Sequence, residues 1–416
     1  MDNGLYNFLI SCTYIIEIAV LMFMEYRAWK TIYTPLFFLI LPFTAILLIT
    51  ISITGSLGFV DLYYPSLLIW CGGLLVFAIP SMIFSTLCAK SSLPVNSKPK
   101  EDAFPNLLLV VAVLIFVMFV YRFRQVVGST TDLLGTDDFA MEFSGYGFWA
   151  HVRQLSLPIL IIAIYYLDRK HWWLGFVVFA SIVVNFIAQV KGWVIIPVIS
   201  GLALRLYTGK TKLRFSLFLY IFGGGFLVFI VSYAFLPLLG NEGEMTSELF
   251  DFVIEHFFHY LTSGILGQSE DVVHDFPDRG EFEMLICPIV NIYNALVGNK
   301  EMLSPVNDIY YNTGLNLTNV RTFFGTIYIY TNWFGFVLYV FYLSTVMYLL
   351  KLATIRFNNI YVYVIYFFEC GLLCMGWFEF YFFHLTVIEF PVLALLLMLL
   401  VKFQHNLSDL FRNMRK

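Results

Sequence analysis

Charged residues are scarce in this chain. Asp, Glu, Lys and Arg make up 12% of its 416 residues, whereas a soluble domain carries about 25%. In their place 60% of the residues are apolar, and apolar runs of roughly 18 or more residues, each long enough to cross a bilayer, recur along the chain. The scarcity of charge excludes a soluble or nucleic-acid-binding protein and predicts an all-α, polytopic membrane protein.

Cysteine is also rare, and its placement excludes a disulfide framework. One of the six cysteines, Cys287, lies in a long polar stretch, and the others fall within or at the ends of apolar runs (Cys12, Cys71, Cys88, Cys370 and Cys374). No metal-site spacing surrounds the pair Cys370 and Cys374. Nucleotide-binding loops, zinc signatures and nucleophile elbows are absent as well, so we predict neither a metal nor a cofactor.

Eleven apolar runs are predicted to be membrane-spanning helices of a single integral membrane domain, 1–416. Their approximate ranges are 4–24, 34–54, 64–88, 104–121, 151–167, 172–190, 192–208, 215–239, 322–350, 357–376 and 382–401. The sixth and seventh spans form a tight hairpin around Lys191-Gly192. Two long segments, 122–150 and 240–321, connect spans and remain outside the membrane core.

The distribution of lysine and arginine predicts the orientation of these spans. Seventeen of these residues fall in one set of loops and the C-terminal tail, and seven fall in the alternate set. Because short loops rich in Lys and Arg stay in the cytoplasm, the first set is predicted to be cytoplasmic. The N-terminus and the two long segments are then outside, and the C-terminus is inside.

The segment Gly240–Arg321 is the long polar stretch of the chain. It holds thirteen of the twenty-eight acids and three of the seven histidines. A structureless loop of this length is uncommon in a compact protein, so the sequence predicts a partly folded cap. We expect any chemistry to lie between this segment and the helix ends beneath it.

A helical pattern within this segment points to a candidate base. Glu248, Asp251, Glu255, His259 and Thr262 are spaced to share one polar face of a helix over 246–267. Glu255 lies one turn before His259, where a carboxylate can orient an imidazole and raise its basicity. We therefore choose His259 as a catalytic base and Glu255 as its orienter, although a surface pair on an amphipathic helix has the same pattern. His274, among acids, and His256, nearer the apolar side, are the alternatives.

The few basic residues on the outer side are candidate phosphate ligands. Arg153 lies at the end of a span, Lys191 in the hairpin turn and Arg321 at the entry of the ninth span. Arg binds phosphate oxygens with two parallel donors, while Lys supplies a point charge. We predict that these three cations converge on a diphosphate, with Arg124 and Arg279 as further candidates. Snorkelling of the side chains to lipid headgroups is the alternative.

Acidic residues leave two other interpretations open. The adjacent Asp137 and Asp138 could hold a divalent ion, although acids in such a Gly-, Ser- and Thr-rich turn are more often only solvated. Acids within or beside spans (Glu17, Glu369, Glu379 and Glu389) are costly and often functional. Taken alone, they favour a proton-coupled transporter.

Three stretches give the chain a family resemblance. They are FSGYGFWAHVRQLSLPILIIAIYYL at 143–167, IAQVKGWVIIPVISGLALRLYTGK at 187–210 and NVRTFFGTIYIYTNWFGFVLYVFYL at 319–343. With the number of spans and the position of the long segment, they resemble the Wzy-type polymerases of O-antigen and capsule repeat units. Arg124 and Gly135 fit an Arg-x10-Gly spacing found in some members. This chain has Lys191 where many members have Arg.

The resemblance implies a function and an architecture. It implies a GT-C-like fold and a metal-independent glycosyltransferase that joins oligosaccharide repeat units carried on undecaprenyl diphosphate. The reaction would take place at the periplasmic face of the bacterial inner membrane, and stabilisation of the departing diphosphate would dominate catalysis. The implied partners are lipid-linked oligosaccharides and a chain-length regulator protein, with no nucleic acid. The alternatives are an O-antigen ligase and a secondary transporter or lipid-linked oligosaccharide flippase. The absence of an internal repeat in the sequence argues against the transporter and the flippase.

Overall fold

The computed structural model describes residues 3–90, 98–99, 103–129, 147–187, 192–214, 216, 219, 223–227, 229–231, 247–274 and 279–414. These residues are mostly helical, as predicted for an all-α protein. Thirteen α-helices have both ends within the described ranges. In chain order they are α1 (Asn3–Trp29), α2 (Pro35–Leu57), α3 (Leu67–Lys90), α4 (Asn106–Ser129), α5 (Phe148–Tyr166), α6 (Leu174–Ile187), α7 (Gly192–Thr208), α8 (Ser247–Val273), α9 (Cys287–Val297), α10 (Phe323–Ile329), α11 (Trp333–Phe357), α12 (Ile360–Cys374) and α13 (Thr386–Met414).

Several of these helices are membrane-spanning candidates. Among the described residues, seven helices are long and apolar enough to cross a bilayer: α1, α2, the helix containing α3, α4, α5, α11 and α13. Four shorter apolar helices, α6, α7, α9 and α12, accompany them. The chain is therefore a membrane-embedded, polytopic helical protein. Residues 223–227 and 229–231 of the predicted span 215–239 are helical, and the hairpin turn at Lys191 lies outside the described residues.

The predicted span 322–350 is wrong as a single helix, because two helices replace it. The side chain of Thr322 accepts a hydrogen bond from the Gly325 N–H (3.2 Å) and begins α10. That helix ends at Ile329, and the Asn332 side chain accepts from the Gly335 N–H (2.8 Å) to begin α11. A side-chain acceptor at an N-cap satisfies a backbone donor that the helix leaves free. Two caps ten residues apart therefore separate a short helix from a spanning one.

The fourth span is longer than its apolar run. The predicted helix stops at residue 121, whereas α4 continues to Ser129. Arg122 and Arg124 therefore belong to a helix and not to the segment 122–150, and Arg124 is exposed. Residues 130–146 of that segment, including Gly135, Asp137 and Asp138, lie outside the described residues.

Contacts divide the chain into two compact units. Unit 1 comprises Met1–Lys98, Glu255–Asn358 and Glu369–Val387, and unit 2 comprises Pro99–Ile254, Asn359–Phe368 and Ile388–Lys416. In unit 1, α3 packs against α1 and α11. A polar cluster is buried there: Trp29 stacks on Tyr348 (centroids 5.7 Å apart) and donates to Ser81, while Tyr348 donates to Glu25. Aromatic packing and hydrogen bonds thus join three helices of this unit.

Unit 2 is organised around α5. This helix packs against α6 and α7, and a Cβ atom at Gly201 of α7 would come within 2.8 Å of Ile164. Asn185 of α6 donates to Ser156 of α5 (2.8 Å), and Arg205 donates to the Ile164 carbonyl (2.8 Å). Small residues and buried hydrogen bonds are common means of helix association in membranes.

The polar segment 240–321 is folded where the structure describes it. It contains the 27-residue helix α8, the 11-residue helix α9 and a two-stranded antiparallel pair, β1 (Tyr311–Asn312) and β2 (Leu317–Thr318). From residue 255 onward this segment belongs to unit 1. It supplies most of the polar side chains of the site described next.

Candidate functional site

A buried ion pair lies at the centre of unit 1's polar region. Arg321 is 1% exposed and Asp271, on α8, is 2% exposed. The guanidinium donates from Nε to one carboxylate oxygen of Asp271 and from Nη2 to the other (3.1 Å). Nη1 donates to the Val320 carbonyl (3.1 Å), and Nη2 also donates to the Ile309 carbonyl (3.3 Å). Every nitrogen of this guanidinium is therefore used within the protein.

Close backbone approach makes this pair possible. A Cβ atom at Gly267 of α8 would come within 2.5 Å of the Val320 carbonyl oxygen and 3.1 Å of Arg321 Nη1. On the same helix, a Cβ atom at Gly264 would come within 2.3 Å of the Phe378 carbonyl oxygen. Only glycine allows such contacts. The two glycines therefore let α8 lie against the backbone on both sides of the site.

A second buried network fixes the chain just after Arg321. Trp70 of α3 donates from Nε1 to Thr322 (3.0 Å) and to Gln268 of α8 (3.2 Å). Gln268 in turn donates to the Ser66 carbonyl (2.8 Å). Three separate parts of the chain thus meet at one amide side chain. Since buried polar networks hold their members in a fixed arrangement when fully satisfied, this network positions α10 and the arginine that precedes it.

A cavity of about 240 Å³ opens beside the ion pair. Its polar lining comes from two separate stretches, 306–326 and 379–383, and includes Asn307, Asn319, Arg321, Thr326 and Glu379, with Phe383 as an apolar wall. Asn307 is 8% exposed and its Nδ2 group has no hydrogen-bond partner among the described residues. Its Oδ1 accepts from the Ile309 N–H (3.1 Å). Asn307, which lines the cavity, therefore has a buried donor group that no described residue uses.

Glu379 gives the cavity a titratable group. It lies in the connection between α12 and α13, outside the spanning helices. Burial raises the pKa of Glu379 to about 7, because removal from water disfavours the charged carboxylate. A carboxyl of this kind exchanges a proton near neutral pH, which is a property of many functional sites. The sequence had placed Glu379 among acids within or around spans.

Arg279 stands at the edge of this region. It donates to the exposed carboxylate of Asp308 and, at 3.3 Å, to Asn307 Oδ1. Its guanidinium also lies over the ring of Tyr330, 5.6 Å from the centroid. Pairing with Arg279 lowers the pKa of Asp308. Of the predicted phosphate ligands, Arg279 and Arg321 are therefore in unit 1, and both are engaged by carboxylates.

His259 and Glu255 lie one turn apart on α8, as predicted, but in different environments. His259 is 7% exposed, and its Nδ1 has no hydrogen-bond partner among the described residues, whereas Glu255 is exposed. Along the predicted polar face, Asp251 and Glu255 are exposed whereas His259 and Thr262 are buried, and every residue of α8 from Thr262 to Ser269 is buried. Burial, with His256 nearby, lowers the pKa of His259 to about 4. The role of His259 as a base stays a prediction, but the structure leaves it without its predicted orienter.

Arg153 in unit 2 presents a different environment. It lies in the second turn of α5 and is 4% exposed, yet Nε and Nη1 have no hydrogen-bond partner among the described residues. Glu389 of α13 is its electrostatic neighbour, and that carboxylate also contacts His151 Nδ1 (2.7 Å). Arg153 therefore keeps unused donors in a buried position. Lys191 lies outside the described residues, so the predicted convergence of cations stays a prediction.

In the described part of the chain, no three His, Cys, Asp or Glu side chains form a group that could hold a metal ion. The polar lining of the cavity consists of two amides, the Thr326 hydroxyl, one carboxyl group and an arginine whose charge Asp271 neutralises.

Comparison with known proteins places the chain in a family. The sequence profile of a family of unknown function, DUF6337, matches residues 58–407. The chain belongs to the DUF6337 family. The matched range contains every site residue described above. No curated protein and no solved structure matches the chain.

Sequence reasoning missed two members of this DUF6337 site. Asp271 was not distinguished from the other acids of the segment 240–321, because its partner Arg321 lies 50 residues away. Asn307 carries no sequence signal, since isolated asparagines are common in loops. The spacing Gly264, Gly267, Gln268, Asp271 was an available signal: it places small and polar residues on one side of α8, within a part of the helix that is buried from Thr262 to Ser269.

Proposed function

We propose that this protein polymerises oligosaccharide repeat units carried on undecaprenyl diphosphate, at the outer face of the bacterial inner membrane. The proposal includes eleven spans, with the N-terminus and the segment 240–321 outside and the C-terminus inside. Its basis is the resemblance of three stretches to Wzy-type polymerases, together with the polytopic helical fold and the polar site of unit 1. A chain-length regulator is the proposed protein partner.

One observation supports the proposal: near the N-terminal end of the spanning helix α5, the buried Arg153 has donor groups without a partner among the described residues. A buried guanidinium without hydrogen bonds is costly, so an anionic group is its natural partner. Arg153 has two nitrogens, Nε and Nη1, in that state. Arginine binds phosphate oxygens with paired donors. The diphosphate of a lipid-linked glycan meets this requirement, and Lys191, Arg124 and Arg279 stay further candidates for its recognition.

The proposed reaction is a glycosyl transfer. The terminal hydroxyl oxygen of one lipid-linked unit attacks the anomeric carbon of another, and the bond from that carbon to the diphosphate breaks. The diphosphate leaves with the electron pair, and the hydroxyl proton passes to a base, for which His259 is the sequence-derived candidate. Because charge develops on the leaving diphosphate, fixed cations are the main catalytic device.

A second function is favoured by a different observation. Glu369 in α12 is 4% exposed, and its Oε1 has no hydrogen-bond partner among the described residues. An isolated acid in a spanning region is a common element of proton-coupled transport. A secondary transporter or a flippase for lipid-linked oligosaccharides is therefore the alternative. An O-antigen ligase differs from the polymerase only in its acceptor.

The deciding experiment uses the purified protein in lipid nanodiscs with the lipid-linked repeat unit extracted from the source organism. A polymerase converts this single substrate into a ladder of longer lipid-linked glycans. A ligase requires an added lipid acceptor, and a transporter yields no new glycosidic bond but moves substrate across proteoliposomes. Absence of any ladder from a folded preparation contradicts the proposal. Glu369→Gln should leave the ladder unchanged if the protein is a polymerase, and it should abolish substrate transport if the protein is a transporter.

A further inference from the structure

The cavity beside Arg321 has features of a binding site that no step above uses. At about 240 Å³ it is smaller than the roughly 300–1,000 Å³ of pockets for drug-sized ligands. It combines the unpartnered Nδ2 of Asn307, the carboxyl of Glu379, the amide of Asn319 and the ring of Phe383. These groups suit a ligand the size of one ring that offers hydroxyl groups on its edge and C–H groups on its face.

Charge also restricts the ligand. Arg321 lines the cavity, but Asp271 neutralises it through a two-point hydrogen-bonded contact. Glu379 is the other ionisable group in the lining. A phosphate would meet Glu379 without a free cation to bind it, and a cation would meet one carboxyl only. A neutral, hydroxyl-bearing ligand satisfies both Asn307 and Glu379, since hydroxyls donate and accept.

We propose that this cavity is a subsite for one sugar residue of the glycan substrate. The inference rests on the proposed function for the identity of the ligand. Asn307 donates to a sugar oxygen, Glu379 accepts from a sugar hydroxyl, and Phe383 packs against the C–H face of the ring. The Arg321–Asp271 pair supports the wall and makes no direct charge contact with the sugar.

The test measures binding of the lipid-free repeat-unit oligosaccharide by calorimetry. Glu379→Gln and Asn307→Asp are isosteric and each reverses one hydrogen-bonding role, so each should weaken affinity by roughly tenfold. Val320→Phe places bulk in the cavity wall and should abolish binding without altering a polar group. The matched control is Glu283→Gln, an exposed acid of the same unit, which should bind as the wild type does.

The outcomes separate this inference from the proposed function. Wild-type binding that the three cavity variants lose, in proteins with unchanged melting temperature, supports the subsite even if no polymer forms. If Val320→Phe folds and still binds the oligosaccharide with wild-type affinity, the subsite proposal is overturned. So does an absence of wild-type binding. A polymerising wild type whose cavity variants bind and polymerise normally removes the subsite and leaves the polymerase intact.

A second feature, the helix α9, carries an independent inference. Its polar side is fixed by its own loop: Asn291 donates to the Leu303 carbonyl (2.9 Å) and accepts from the Leu303 N–H (2.7 Å), and Asn294 donates to the Glu301 carbonyl (2.7 Å). The opposite side is apolar and exposed, with Leu296 at 82% and Tyr293 at 63%. The helix is therefore held so that its apolar face points away from the protein.

The position of α9 indicates what covers that face. Two residues before the helix, the Leu285 carbonyl accepts a hydrogen bond from the Tyr339 hydroxyl (2.6 Å), and the ring of Phe282 contacts Tyr339 edge-to-face (5.8 Å). Tyr339 lies in the spanning helix α11, six residues and about 9 Å of helix from Trp333. Exposed apolar residues of α11, such as Leu338 and Tyr342, flank that contact. The apolar face of α9 thus lies next to exposed apolar residues of α11, a helix long and apolar enough to cross a bilayer.

We infer that α9 lies in the headgroup and acyl-chain boundary of the bilayer, with lipid chains covering Ile289, Tyr293, Leu296 and Val297. Amphipathic helices commonly lie in this zone, parallel to the membrane plane. The helix would anchor the polar segment to the membrane close to α11. This inference depends on the membrane location of α11 and not on any enzymatic activity.

Site-directed spin labelling in nanodiscs tests it. Labels at Leu296→Cys and Ile289→Cys should be relaxed by oxygen and protected from a water-soluble nickel complex. A label at Lys300→Cys, exposed three residues after the end of the helix, should show the reverse. Wild-type protein taken through the same labelling corrects for native cysteines. Access of the nickel complex to positions 289 and 296 overturns the inference, as does dipolar broadening at those positions, which would indicate a second copy of the chain.

Discussion

Two buried arginines with nearly equal exposure have opposite surroundings. Arg321 in unit 1 donates every one of its nitrogens to Asp271 or to backbone carbonyls. Arg153 in unit 2 leaves Nε and Nη1 without a partner among the described residues. Sequence alone gave both the same role as phosphate ligands. The difference indicates that burial of a cation is not evidence of ligand binding until its donors are accounted for.

The comparison predicts opposite effects on stability. Arg321→Met should destabilise the protein by about 3–5 kcal/mol, because it leaves the Asp271 carboxylate buried without a counter-charge. Thermal unfolding in nanodiscs measures this. Restoring much of the loss with the double variant Arg321→Met, Asp271→Leu would show that the pair is structural. A single Arg321→Met variant as stable as the wild type would break the comparison.

The corresponding change in unit 2 should affect activity instead. Arg153→Met removes a buried charge with unused donors, so the melting temperature should stay level or rise. Loss of a charge-assisted contact costs about 1.5–3 kcal/mol of substrate binding, which is roughly a ten- to hundredfold fall in polymer formation. Arg169→Met, at an exposed position of the same unit that the proposal gives no role in substrate recognition, is the control. Normal polymer from Arg153→Met would remove the diphosphate assignment.

Part of this contrast could be predicted from sequence. Apolar runs are local, so the helices of the fold followed from them, and scarcity of charge singled out Arg153 and Arg321. Partners are not local: Asp271 is 50 residues from Arg321, and no periodicity links them. The burial of His259 was not foreseen for a related reason. Spacing within α8 defined a polar side, but packing with the rest of unit 1 decided which polar residues faced inward.

The close approach of α8 to Arg321 gives a smaller prediction. Gly267→Ala should cost about 1–3 kcal/mol, since its Cβ would come within 2.5 Å of the Val320 carbonyl oxygen and the backbone would have to move. Gly55→Ala in α2, where no atom lies within 4 Å of the added Cβ, should be neutral or stabilising. Equal melting temperatures for the two variants would show that Arg321 does not depend on this contact.

Glu379, beside Arg321, should give a pH-dependent stability. Its pKa in the folded protein is about 7, above the ordinary value of 4.5, so the unfolded chain releases this proton first as pH rises. The stabilising contribution is complete below about pH 4.5, falls as pH rises toward 7 and does not change further above that. Melting curves between pH 4.5 and 8 measure this fall. Glu379→Gln should flatten it, and an unchanged slope in that variant would contradict the shifted pKa.

The smallest expected effect concerns Glu255. If Glu255 oriented His259 as a base, Glu255→Gln would lower the rate and move the pH profile. In the structure Glu255 is exposed and His259 Nδ1 lacks a partner among the described residues, so the pair forms no hydrogen bond to lose. Glu255→Gln should therefore change stability by no more than about 0.5 kcal/mol, the scale of a helix-surface pair, and leave the polymerisation profile from pH 6 to 9 unchanged. His259→Gln, measured beside it, tests the base itself. A large loss of polymerisation rate in His259→Gln alone would keep the histidine in the mechanism without its orienter. Parallel losses of rate in both variants would support the predicted pairing of Glu255 with His259.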